Sequence, residues 1–342
     1  MHQHPPGDRP DDRRSALARL GLGLTAPALW LPPALAQSQT QTLPETARII
    51  VGYPAGGGID LIARRLAEEL GGKLAKAVIV DNRPGAAGRI AVDIAKASPA
   101  DGLTLLLSPA GVLTINPHTY KKSNYDPFKD FAAISTVALI DFGFAVGPAV
   151  PAEVKTFADF VVWARANRGK VTFGSPAAGA PPHFVGDLLS RQLDLDLTHV
   201  PYRGGPPALN DVMGGNISAV VLSVGDMLQA SQAGKLRVLA ATGPVRSRYA
   251  PGVPTFAELG VKGLELRDWF GLFIVGKPAP EVLARVAPLV RAALASPRYT
   301  QGLVTLLIEP AASSPEEVDR MVRDDYERWG GIVRASGFVA DT

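Results

Sequence analysis

From about residue 47 onward one pattern recurs along the chain: a short β-branched or leucine-rich run, a loop of Gly, Pro, Ala and Ser, then an amphipathic helix. Such alternation predicts an α/β fold with parallel sheets, because each helix carries the chain back over a sheet face before the next strand. The first unit runs from Arg48-Ile49-Ile50-Val51-Gly52-Tyr53 through Pro54-Ala55-Gly56-Gly57-Gly58 into a helix with Ile62, Leu66 and Leu70 at i, i+4 and i+8. The second joins Val78-Ile79-Val80 through Asn82-Arg83-Pro84-Gly85-Ala86-Ala87-Gly88 to a helix with Ile90, Ile94 and Ala95 on one side. Leu103 to Leu107, followed by Ser108-Pro109-Ala110-Gly111, supplies a third strand.

Between Val137 and Val150 the texture changes to an extended apolar segment, and a new set of units follows. It contains Val171-Thr172-Phe173-Gly174 with loop Ser175 to Pro182 and a helix from about His183 to Gln192. His199-Val200-Pro201-Tyr202 comes next, with loop Arg203 to Pro207 and a helix from about Ala208 to Met213. Strands are expected at Ala219 to Leu222 and Leu236 to Ala240, and Trp269 to Val275 then returns to the first lobe with helices Glu281 to Ala295 and Pro315 to Ala335. Two α/β lobes with two crossings result: residues 47–146 as the first part of lobe 1, 147–265 as lobe 2, and 266–342 as the return. No strict short repeat supports a solenoid or propeller.

The first 36 residues have the form of an export leader, since Arg13, Arg14 and Arg19 precede apolar Leu20 to Leu31 and the small-residue end Ala34-Leu35-Ala36. Cleavage is expected before Gln37, with a polar linker from Gln37 to Thr46. The apolar stretch, interrupted by Pro27, Pro32 and Pro33, is shorter than the roughly 20 residues a membrane-spanning helix needs. Asp12-Arg13-Arg14-Ser15-Ala16-Leu17 fits either a twin-arginine signal or an ordinary basic n-region. Thirty-five Lys and Arg against 32 Asp and Glu, without charge blocks, argue against a nucleic-acid partner. The absence of cysteine excludes thiol chemistry, thiolate metal sites and disulfides.

In an α/β sheet, ligands bind beyond the carboxyl ends of strands, where glycine admits close backbone approach and helix N-termini carry partial positive charge. Pro54-Ala55-Gly56-Gly57-Gly58-Ile59-Asp60 therefore has the form of an anion cradle, for carboxylate or phosphate. It lacks the Gly-Lys-Ser/Thr ending of a P-loop, and no loop carries Gly-x-Gly-x-x-Gly, so nucleotide binding has no sequence support. Asp60 opens its helix, either as a cap or as a residue bordering the ligand. Ser175 to Pro182 offers an opposing cradle, with Ser175 as a hydroxyl donor and a neutral His183 opening the following helix, either as a ligand contact or as a packing residue. Tyr53 and Tyr202 each end a strand beside a glycine loop, either as cleft residues or as partly buried rim positions. After the leader only His118, His183 and His199 remain, without metal-ligand spacing, and neither Ser108 nor Ser175 lies in a Gly-x-Ser-x-Gly elbow. Enzyme chemistry, a metal and a cofactor are therefore not expected.

Taken in order, Tyr53 to Asp60 with Ala63-Arg64, Asn82 to Gly88, Ala100-Asp101-Gly102-Leu103-Thr104-Leu105-Leu106, Tyr125 to Phe131, Phe173-Gly174-Ser175, Val200 to Gly205, Val253-Pro254-Thr255 with Glu258-Leu259-Gly260, and Trp269 to Phe273 resemble the Bug family. These are the extracytoplasmic receptors of tripartite tricarboxylate transport systems, and the resemblance covers nearly all of the chain after the leader. It implies a two-lobed periplasmic binding protein of type II-like, Venus-flytrap form. The ligand carboxylate would be held by main-chain amides and ordered water, and the closed form passed to membrane permease subunits. It further implies a monomer in the periplasm that takes dicarboxylates, citrate-like acids, acidic amino acids or aromatic acids. Position by position, the implied contacts are Tyr53, Ala55, Gly57, Gly58, Asp60, Ser108 and Ala110 in lobe 1, and Ser175, Gly179, His183, Tyr202 and Asp226 in lobe 2. One departure stands out: Ser175 to Pro182 has prolines and alanine where the family offers glycine and a hydroxyl residue. Proline removes N–H donors, which points to a ligand with one carboxylate or a bulkier apolar portion. A sensor that presents its closed form to a kinase would use the same clamp, and the sequence does not separate the two.

Overall fold

The computed structural model describes residues 42–340. The expected leader at 1–36 and the start of the linker lie outside the described residues. In chain order the first lobe contains β1 (Thr46–Val51), α1 (Gly58–Leu70), β2 (Ala77–Asn82), α2 (Arg89–Lys96), β3 (Thr104–Pro109), α3 (Ala110–Thr114), α4 (Asn116–Thr119) and β4 (Phe131–Ile140). The second contains β5 (Phe142–Val146), α5 (Phe157–Ala166), β6 (Thr172–Ser175), α6 (Pro181–Leu193), β7 (Thr198–Pro201), α7 (Gly205–Met213), β8 (Ala219–Ser223), α8 (Val224–Gln232) and β9 (Arg237–Ala241). The chain then returns with β10 (Asp268–Val275), α9 (Pro280–Leu294), α10 (Pro297–Thr305), β11 (Glu309–Pro310) and α11 (Pro315–Ser336).

The two sheets share one plan. The first has the order β11-β4-β10-β3-β1-β2 and the second β7-β6-β8-β5-β9. Each contains three parallel strands, β2-β1-β3 and β7-β6-β8, followed by an antiparallel strand that brings the chain in from the other lobe, β10 and β5. The parallel expectation thus holds for the βα units and fails for the crossing strands. A strand entering from the far lobe has no crossover helix to reverse it, so it pairs antiparallel.

The sheets change hands at Asp141, between β4 and β5, so the chain enters the second sheet before the expected boundary after Val146. Arg267, just ahead of β10 on the returning crossing, grips Asp141 through two bonds of 2.8 and 2.9 Å. This ion pair ties the two crossings together at one level.

Apolar burial fixes the helices. Ile62, Leu66 and Leu70 of α1 are fully buried, as their spacing predicts. In α2 the expected Ala95 is buried and Ile94 packs against the core, but Ala91 and Val92 complete the inward face and Ile90 is exposed. The helix begins only at Arg89, after a turn through Ala86 and Ala87, both in the left-handed region. Ile90 then lies over Gly85, where a Cβ would come within 2.6 Å of its Cδ1. Helix α7 starts at Gly205, ahead of the expected Ala208, because Pro206 and Pro207 fit a first helical turn that needs no N–H there. Helix α10 and the two-residue β11 were not anticipated.

Candidate functional site

The loop after β1 forms one wall of a cleft between the lobes. Gly56 has a φ of +85°, which glycine adopts without steric penalty, and this turn delivers the chain to α1. Gly57 caps the helix without any side-chain bond. The N–H groups of Gly57, Gly58 and Ile59 find no acceptor among the described residues. The first amides of a helix lack intrahelical partners, and the aligned peptide dipoles add positive potential there. The start of α1 is therefore suited to an anion.

Asp60 organises this turn from behind. Its buried carboxylate accepts from Gly56 N–H at 2.9 Å, Arg64 Nε at 2.9 Å and Asn82 Nδ2 at 3.0 Å. Asn82 also donates to the Tyr53 carbonyl at 3.1 Å, fastening the loop to the end of β2. Burial alone would raise the Asp60 carboxyl, but the bonds from Arg64, Gly56 and Asn82 outweigh it and hold the group below the usual carboxylate range.

Proline dominates the opposite wall. Helix α6 begins with Pro181-Pro182, and α7 places Pro206-Pro207 directly after Gly205. Neither pair has an N–H to offer, and the next two amides of α6, His183 and Phe184, both donate to the Ala180 carbonyl. At the start of α7 the Gly205 N–H remains without an acceptor among the described residues. The walls approach closely: a Cβ on Gly204 would lie 3.7 Å from Pro54 Cδ, and one on Gly111 would lie 3.1 Å from Pro181 Cδ.

Between the walls lies a cavity of about 340 Å³. Besides the glycine turn and the prolines, Ile140, Phe142, Leu209, Phe270 and Ile308 line it, and its ionisable side chains are Tyr53, Asp226 and Asp268, with no Lys, Arg or His. Asp268 opens β10 and is nearly enclosed; burial first, then the nearby Asp325, pushes its carboxyl up to about 7 against the opposing Trp269 N–H and Arg328. Burial, reinforced by Asp268 and Tyr120, likewise raises the Tyr53 hydroxyl. Asp226 is exposed in the cleft, yet protein atoms crowd it, and this crowding raises its carboxyl against a weaker pull from Ser223.

A model describing the tripartite tricarboxylate transporter family receptor matches residues 62–338 of the chain. The protein belongs to that family. It is 30% identical over 330 residues to a Cupriavidus necator protein named only for its place in a gbd 5' region, covering 96% of this chain and 98% of the relative. It is also similar in structure to the periplasmic binding protein BugD, at TM-score 0.80 and 26% identity over 87% of this chain and 99% of BugD. A third likeness is to Rpa4515 of R. palustris, solved with adipate, at TM-score 0.81 and 28% identity over 86% of this chain and 98% of that one. The two-lobed fold of this chain is thus the one seen in the periplasmic binding protein BugD and in Rpa4515. Among the described residues no helix is long and apolar enough to cross a membrane, and no group of His, Asp and Glu is arranged to hold a metal.

In this receptor the expected ligand-binding residues fall into two sets. Tyr53, Ala55, Gly57, Gly58 and Asp226 come together on the cavity, and the remaining seven do not line it. Asp60 braces the turn, Ser108 donates to the Pro109 carbonyl at 3.1 Å, and Ala110 is fully buried at the start of α3. Ser175 is buried and donates to the Ala177 carbonyl at 3.0 Å, which leaves its oxygen to accept from His199 Nε2 at 2.7 Å. The Gly179 amide donates to His183 Nδ1 at 3.0 Å, so the His183 proton sits on Nε2, 3.4 Å from Asp187. The two imidazoles stack with centroids 3.9 Å apart. Burial lowers both, His199 to about 3, in agreement with the neutral imidazole expected at position 183. Tyr202 turns away to donate to Asp211 at 2.7 Å; burial first, then that bond, pushes its hydroxyl up to about 12.

Sequence reasoning passed over Ile140, Phe142, Phe270, Ile308 and Asp268. Phe270 and Asp268 carried a signal, a lone acid opening an aromatic strand that returns between lobes. Ile140 and Phe142 flank the first crossing, and Ile308 arrives beside β11 through tertiary packing that no local pattern encodes.

Proposed function

We propose that this receptor captures a small carboxylated metabolite in the cleft, with the carboxylate on the free amides at the start of α1 and the apolar remainder against the proline wall. The observation that carries the proposal is the unpartnered Gly57, Gly58 and Ile59 amides opening into a cavity that no basic side chain lines. Charge-assisted bonds to backbone amides contribute on the order of 1.5 to 3 kcal/mol each, so two or three suffice to orient one carboxylate without an arginine. The adipate carried by the Rpa4515 relative supports an acid of this size.

On this reading the protein is exported by its leader, cleaved near Ala36, and works as a monomer that catalyses nothing and hands its closed form to a tripartite permease. A ligand that bridges both walls stabilises the closed form, whereas one that touches a single lobe equally in open and closed forms shifts nothing. Mass spectrometry of the guest released on denaturing the freshly purified protein tests the proposal. A small carboxylic acid that emerges unchanged after incubation supports it. A phosphate ester, or an acid converted to a product during incubation, overturns it.

A further inference from the structure

Asp226 occupies an unusual place for an acidic residue in an acid-binding cleft. A Cβ built on Gly58, at the start of α1, would lie 3.6 Å from its Oδ1, and one on Gly205, at the start of α7, would lie 3.6 Å from its Oδ2. Its carboxylate is thus inserted between the two helix starts. It enters no ion pair among the described residues; Ser223 caps α8 by accepting the Asp226 amide at 3.2 Å, which holds the residue at the mouth of that helix. The second cleft acid, Asp268, is also without an ion pair, and no Lys, Arg or His lines the cavity to offset either. A ligand that brings only negative charge meets repulsion from Asp226 and, above about pH 7, from Asp268 as well.

We propose that Asp226 is a specificity residue that pairs with a cationic nitrogen of the ligand, making the preferred guest an amino acid with an apolar side chain. This rests on the carboxylate-receptor reading given above. Because Asp226 lies beside Gly58, the nitrogen must sit within a few ångströms of the carboxylate held there, which favours an α-amino group over an ammonium at the far end of a chain. The apolar side chain then falls among Phe142, Leu209, Phe270 and the prolines. The paired charges of such a zwitterion answer the two features of the site separately, the amides with the carboxylate and the aspartate with the ammonium.

Isothermal calorimetry at pH 7.5 with three probes of similar length tests this: 2-aminohexanoate, hexanoate and adipate, each against the whole mature chain and against Asp226→Asn. The Asn variant keeps the Ser223 cap, which uses the main-chain amide, and its melting temperature reports that the fold is intact. The expected result is that 2-aminohexanoate binds at least tenfold more tightly than hexanoate or adipate, and that Asp226→Asn removes this preference by weakening 2-aminohexanoate and tightening hexanoate. Equal binding of hexanoate and 2-aminohexanoate, tighter binding of adipate, or an unchanged preference in the variant overturns the role of Asp226 and leaves the carboxylate cradle standing. Failure of all three acids to bind overturns the cradle as well.

Discussion

On the lobe 1 side of the cleft a glycine turn leaves the amides of Gly57, Gly58 and Ile59 without acceptors, while on the lobe 2 side prolines stand at the starts of α6 and α7. Both walls are built from the same βα unit, at the carboxyl end of a three-stranded parallel set. The difference therefore lies in side chain and backbone chemistry at the helix starts and not in topology. One wall provides hydrogen-bond donors in a fixed array, and the other provides rigid apolar surface at the starts of α6 and α7, interrupted by the Gly205 amide and the side chains of Asn210 and Asp226. A duplicated architecture can thus divide polar and apolar recognition between its halves, provided that the loop residues diverge.

Four measurements break or sharpen this contrast. The largest effect is expected from Gly57→Val. A Cβ at this position meets only the Pro54 carbonyl, at 3.7 Å, and the φ of −78° suits any residue, so the variant folds. Its branched side chain covers the free amides, and affinity for the natural guest falls at least about 100-fold, or about 3 kcal/mol, by calorimetry. Retained affinity removes the amide array as the polar wall.

Next is Asp268→Asn. The folded-state carboxyl sits at about 7 instead of 3.8, so its contribution to stability is full below about pH 4 and is lost as the pH rises through about 7. At 1.36 kcal/mol per unit the ceiling is about 4 kcal/mol, and about half of that is the expected gain for the Asn variant at pH 8, with none at pH 4, in urea melts. A gain of equal size at both pH values would sink this account of the buried acid.

A smaller change is expected from Pro206→Ala, which restores one N–H at the start of α7. Affinity for adipate should rise about two- to tenfold, the worth of one added hydrogen bond, while affinity for monocarboxylates stays level. The smallest is Ser175→Ala. The Ser175 hydroxyl is engaged with Ala177 and His199 behind the wall, so ligand affinity should change less than twofold while stability drops by about 1 kcal/mol. A large affinity loss would place Ser175 among the ligand contacts after all.

Much of the fold was legible because its signals are local. The i, i+4, i+8 spacing of Ile62, Leu66 and Leu70 names the buried face of α1 outright, and the glycines after β1 mark the tight turn that delivers the chain to it. The site was legible as loops more than as residues. In Ser175 to Pro182 the pattern located the correct segment, yet Pro176, Ala180, Pro181 and Pro182 face the cavity while Ser175, Gly179 and His183 turn inward. Rotation of a helix start by one residue decides such questions, and composition carries no information about it. The antiparallel crossings, and the arrival of Ile308 at the cleft, depend on pairings between segments far apart in the chain, from Val146 with Ala219 to Glu309 with Leu139. For the same reason the exposed Ile90 could not be told from a core residue until the turn ahead of α2 fixed its phase.

The grip of Arg267 on Asp141 bears on how such a jaw can move. With both connecting strands pinned side by side at one level, the lobes share a common axle, and twisting one strand without the other would tear apart a paired set of charge-assisted bonds. A swing about the line through the two crossings keeps that pair intact, which makes it the least costly way for the lobes to part.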